Sequence, residues 1–74
     1  MPQGPGTYVN VCVTASNGTT NSDVVVIIDG VESTKFMVRP LPGGGIQVCV
    51  RVRSGEGSFI RVDVDSKSYG VGVP

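Results

Sequence analysis

Cys12 and Cys49 are the residues of this chain best suited to chemistry. They stand far apart in sequence and form no C-x-x-C redox or zinc pair. The chain has no histidine, which excludes zinc-type sites and histidine-based triads. Ser–Lys or Cys–Asp nucleophile pairs need a base beside the nucleophile, and no spacing here supports one. No catalytic residue is therefore assigned. Two readings of the thiols stay open: a disulfide, or two reduced, partly buried side chains that fill small gaps.

The carboxylates offer a second candidate. Asp63-x-Asp65, with Asp23 and Asp29, could suggest calcium at one end of a β fold. Calcium asks for about six to eight converging oxygens. An Asp-x-Asp at a strand end is the common form of a solvated terminus or turn, so no metal and no cofactor is expected. Asn17-Gly18-Thr19 matches the glycosylation pattern but reads as a loop.

Arg51, Arg53 and Arg61 form the one basic concentration. Glu56 and Asp63 lie nearby to balance them, so they read as a salt-bridged surface or as the rim of a protein-binding patch. No aromatic platform stands among them to stack single-stranded nucleic acid. The aromatic residues are Tyr8, Phe36, Phe59 and Tyr69. Phe59 falls on the outward parity of its segment beside Arg61, the position of an interface anchor. Phe36, Met37, Val38 and Leu41 form another apolar stretch beyond the needs of a small core.

The elements that hold these residues are short. A chain of 74 residues is one domain. It buries only about 60% of its unfolded surface, so a disulfide or association must add stability. Six basic and six acidic residues give zero net charge. That argues against nucleic-acid and membrane-surface binding and removes charge repulsion as a guard against self-association. Residues 1–6 lack the basic start and the apolar stretch of a signal peptide, and no apolar run reaches membrane-span length. The expectation is synthesis in the cytoplasm as it stands, or excision from a longer secreted protein.

Alternation of period two runs through the chain. Residues 1–7 are an extended arm in which Pro2 and Pro5 cannot donate to a ladder. Residues 8–74 form the folded domain. In Tyr8 to Thr14, Val9, Val11 and Val13 share one face, with Tyr8 and Cys12 on the other. Val24 to Ile28 is apolar throughout and expects burial on both faces. Asp29-Gly30 is a hairpin turn, and Val31 to Val38 returns as one edge strand guarded by Glu32 and Lys35. Ile46, Val48, Val50 and Val52 point inward in the next strand, and Ile60, Val62 and Val64 in the one after. A last short strand uses Val71 and Val73 around Gly70 and Gly72. Six or seven short strands at this spacing predict a small antiparallel all-β sandwich of immunoglobulin-like type.

The order of these pieces resembles a known family. An alternating strand, the Asn17-Gly18 loop, a Val-rich strand, Asp29-Gly30, a short strand, Leu41-Pro42-Gly43-Gly44, a second alternating strand, a glycine turn and a strand ending Val62-Asp63-Val64-Asp65 are similar to the CARDB-type (bacterial cell-adhesion-related) immunoglobulin-like domain over residues 8–65. The chain departs from that family at both ends, lacking a first strand and the Glu/Asn-rich closing segment. A missing edge strand leaves backbone groups that another chain could cover. In such sandwiches the strands of Cys12 and Cys49 are antiparallel neighbours, which would let the thiols face each other.

Two functional expectations follow, both non-enzymatic. One is a structural protein that binds and reinforces a larger assembly, as a virion decoration (cement) protein on a phage capsid or tail does. It would be made in the host cytoplasm and work on the virion surface. Its partners would be proteins, in a lattice or as further copies, and not nucleic acid, membrane or a small-molecule substrate. The arm with Pro2, Pro5 and Tyr8, and the tail with Val71 and Val73, would pair with neighbouring strand edges. Phe36, Met37, Phe59 and Arg61 would supply the contact surface. The other expectation, which the resemblance implies, is a spacer or adhesion domain of a bacterial cell-surface protein.

Overall fold

The computed structural model describes residues 7–73. The arm residues Pro2 and Pro5 lie outside that range. Seven strands are formed: β1 (Tyr8–Ala15), β2 (Val24–Ile28), β3 (Val31–Ser33), β4 (Phe36–Pro40), β5 (Ile46–Arg53), β6 (Phe59–Val64) and β7 (Lys67–Gly72). They build two antiparallel sheets in the orders β1–β5–β4 and β3–β2–β6–β7. Among the described residues this is the strand order of a small immunoglobulin-like antiparallel sandwich.

The core lies between the sheets because each strand sends alternate side chains to the same side. β5 contributes Ile46, Val48, Val50 and Val52, and β6 contributes Ile60, Val62 and Val64, all buried. Ala15, Val26 and Val73 complete the buried cluster. On β2 only Val26 is fully buried. Val25 and Ile27 point to the outer face and stay half-exposed, so this strand is covered on one side rather than both.

Asp29 and Gly30 adopt φ of 50° and 84°, the two left-handed residues that a type I′ hairpin requires. They join β2 to β3 with Ile28 opposite Val31. The expected single strand from Val31 to Val38 is not formed. The chain breaks at Thr34 and Lys35, and its two halves join opposite sheets. The reason is written in the parity. Ser33 faces inward opposite Val26, whereas Phe36 and Val38 face inward opposite Val50 and Val48. One continuous strand could not bury both an odd and an even set.

The tail forms the expected last strand: β7 pairs along its length with β6, and Val71 packs against the core. Val73 is buried, and its N–H donates to the Ser58 carbonyl at 2.8 Å.

Candidate functional site

The outer face of the β1–β5–β4 sheet collects most of the chemically distinctive side chains. Antiparallel register places Cys12 directly opposite Cys49 and Met37 on the far side of Cys49. Cys12 and Cys49 form a disulfide with Cα atoms 4.0 Å apart. Three sulfur-bearing side chains thus form one row across the sheet. Met37 is 69% exposed, which is far more than its parity on a covered face would allow.

Rows of polar and cationic residues flank the sulfur row. Thr14, Gln47 and Arg39 lie on one side, and Asn10 and Arg51 on the other. Of these, Asn10, Arg39, Gln47 and Arg51 line, together with Lys35, a shallow depression of about 670 Å³. Arg39 donates to Gln47 Oε1 at 3.5 Å. Beyond Arg51, Tyr8 faces Arg53, accepts a hydrogen bond from Arg53 Nε at 3.2 Å, and lies under the guanidinium groups of Arg51 and Arg53. The Tyr8 contact holds the Arg53 guanidinium above its ordinary pKa. Arg53 also meets Glu56 at 3.8 Å. Among the described residues, Lys35, Arg39 and Arg51 have no carboxylate partner.

Zero net charge therefore hides a segregation. Four of the six cations, Lys35, Arg39, Arg51 and Arg53, belong to this sheet or its approach. Asp23, Asp29, Glu32, Asp63 and Asp65 belong to the other sheet or its turns. The expected cluster of Arg51, Arg53 and Arg61 is split: Arg61 lies on the opposite sheet, paired with Asp63 at 3.0 Å. The Ser68 side chain and the Arg61 guanidinium hold the Asp63 carboxyl below the usual carboxylate range.

The remaining candidates are dispersed. Phe59 is 55% exposed on the outer face of the β3–β2–β6–β7 sheet. Its ring covers Gly70, where an added Cβ would meet Phe59 Cζ at 2.7 Å. Phe36 and Val71 are half-buried against the core, and Val73 is buried in it.

The aspartates do not converge. Asp23 and Asp29 bracket β2 at opposite ends. Asp65 is a turn residue with φ 54°, and its carboxylate accepts from the Asp23 N–H at 3.1 Å. No group of three or more potential metal ligands occurs among the described residues. The Asn17 amide donates to the Val64 carbonyl at 3.0 Å and accepts from the Tyr69 hydroxyl. It ties its loop to the far sheet.

Sequence reasoning missed Lys35, Arg39, Asn10 and Gln47 as neighbours of the cysteines. The parity of β5 already carries Gln47, Cys49 and Arg51 on one face, which is half of the signal. The other half needs the knowledge that β4 lies beside β5. Among the described residues no helix is long and apolar enough to cross a membrane. Comparison with protein-family models, with curated proteins and with solved structures finds no match to this chain.

Proposed function

We propose that this chain is a non-catalytic binding module that docks on and reinforces a larger protein assembly, with a phage virion decoration protein as the best-fitting case. The observation that carries the reading is the outer face of the β1–β5–β4 sheet. It combines three cations without a carboxylate partner among the described residues, an exposed Met37 and a flat sulfur row. An acidic protein surface with a small apolar centre complements such a face, and repetition over a lattice would turn weak contacts into avidity. The disulfide supports work in oxidising surroundings, which virion surfaces provide.

The same disulfide and the immunoglobulin-like strand order favour the second reading, a spacer or adhesion domain of a bacterial cell-surface protein. One experiment separates the two. Antibodies raised against the chain are applied to purified virus particles and to the intact cells that encode it. Labelled particles support the decoration protein, and labelled cell envelopes support the spacer. Label confined to the cytosol overturns both. On labelled particles, Arg39→Glu combined with Arg51→Glu is expected to lower occupancy at least tenfold, and unchanged occupancy removes this face as the docking surface.

A further inference from the structure

We infer that β1 is a self-complementary docking edge, which pairs antiparallel with β1 of a second copy to make one continuous six-stranded sheet. It uses the strand edge rather than the outer face, so it stands independently of the proposed docking on an assembly.

Each sheet has two edge strands, and three of the four are guarded in ways that discourage pairing. β3 is three residues long and carries Glu32. β4 ends in Arg39 and Pro40. β7 carries Lys67 and two glycines. β1 is eight residues long, YVNVCVTA, with no charge, no proline and no glycine. It is the one edge strand among the described residues left open for pairing.

Its backbone is also presented correctly. In an antiparallel ladder alternate residues bond to the partner and the intervening ones point away. Thr7 accepts from the Ser54 N–H at 2.9 Å, which sets the odd-numbered residues of β1 as those bonded to β5. Tyr8, Asn10, Cys12 and Thr14 then direct their N–H and C=O groups to the open edge. Among the described residues nothing bonds to those groups.

The choice of a second copy rests on what the register produces. A twofold axis at Val11 sets Tyr8 opposite Thr14 of the second copy, and Asn10 opposite Cys12. Each of these facing pairs exchanges two hydrogen bonds, so every open group of the four residues is satisfied. On the inner side Val9 meets Val13 and Val11 meets Val11. These valines are only half-buried or exposed in the single chain, although their β5 neighbours Val48 and Val50 are buried. No charges oppose each other across the seam. The two β5 strands would be separated by three strand spacings, about 14 Å, beyond the Debye length of about 8 Å that screens Arg51 and Arg53. Zero net charge adds no long-range repulsion.

A single strand edge makes an interface below about 1,200 Å², so the dimer is expected to be weak and concentration-dependent. The test measures mass by sedimentation and amide exchange by NMR on the full chain, from about 20 μM to about 1 mM, the range in which such an association is populated. The expected result is a rise from monomer to dimer mass. With it, the amides of Tyr8, Asn10, Cys12 and Thr14 slow at least tenfold, while those of Val9, Val11 and Val13 are protected throughout. Asn10→Pro removes an edge donor that makes no bond to β5, and is expected to abolish both changes. Asn10→Lys, which keeps the backbone donor, is the second variant should the proline disturb folding, and protected Val11 and Val13 amides report that the fold persists. A mass that stays monomeric across the range overturns the inference. So does a dimer whose even-numbered β1 amides still exchange freely.

Discussion

The N–H of Phe59 donates to the Asp29 carboxylate at 2.8 Å, and the N–H of Asp29 donates to the Phe59 carbonyl at 3.0 Å. This reciprocal pair joins the β2–β3 turn to the start of β6, thirty residues on in the chain. Asp29 therefore has two tasks. It tolerates the positive φ of the turn, and its carboxylate satisfies a backbone donor of the next strand. Asp29→Ala loses both and is expected to cost about 1–3 kcal/mol. Asp29→Asn keeps the turn geometry and an acceptor and is expected to stay within about 0.5 kcal/mol of the parent. Urea unfolding of the two variants decides the matter. An equal loss in both would assign the effect to charge instead of geometry.

The Cys12–Cys49 disulfide spans 37 residues. Closing a loop of that length removes unfolded-state entropy worth about 4 kcal/mol in the chain-entropy model. A small sandwich has about 5–15 kcal/mol in total, so reduction is expected to remove a large share of its stability. Urea midpoints with and without reductant measure this. A midpoint that does not move would mean that the bond leaves the unfolded chain as free as before.

Gly18 and Gly70 test the difference between rigid and yielding neighbours. A Cβ at Gly18 would meet Ile46 Cγ1 at 2.6 Å and Val64 Cγ1 at 3.0 Å, both on core residues that are fully buried. Gly18→Ala is expected to cost about 1–3 kcal/mol by overpacking. A Cβ at Gly70 would meet only the exposed ring end of Phe59. Gly70→Ala is expected to swing that ring outward with a stability change within about 0.5 kcal/mol. Thermal melts and the ring chemical shifts of Phe59 separate the two cases, and the reverse order of stabilities would contradict the packing described.

Asp63 carries the acid-side prediction. Its folded pKa lies below the ordinary carboxylate value because of Ser68 and Arg61. The stabilisation is therefore present above the unfolded pKa of about 3.9 and is lost as pH falls through the lower folded value. The group is partly open to solvent, so screening keeps its contribution small. A carboxyl NMR titration is expected to find Asp63 below the ordinary aspartate value, and Ser68→Ala or Arg61→Gln to bring it back up. A titration curve unchanged in both variants would refute this account.

Much of the fold was legible in the residues. Ile46, Val48, Val50 and Val52 alternate with Gln47, Cys49, Arg51 and Arg53, and the structure buries the first set and turns out the second. The Asp29-Gly30 hairpin was equally legible, since only residues that accept positive φ fit that turn. The candidate site was legible by halves. The outward parity of Cys12 and Cys49 could be read, but the choice between a disulfide and free thiols could not. Val31 to Val38 is not the one strand expected, because the inward parity changes between Ser33 and Phe36 as the two halves join opposite sheets.

Sequence alone determined the all-β class and the inward face of most strands, because side-chain alternation is a local property of an extended backbone. Tertiary structure alone decided that Cys12 meets Cys49, that Met37 and Arg39 join them, and that Arg61 does not. Among the described residues it also left β1 at an open edge. Those outcomes depend on which strands share hydrogen bonds, and residues far apart in the chain make that selection by burying one common core.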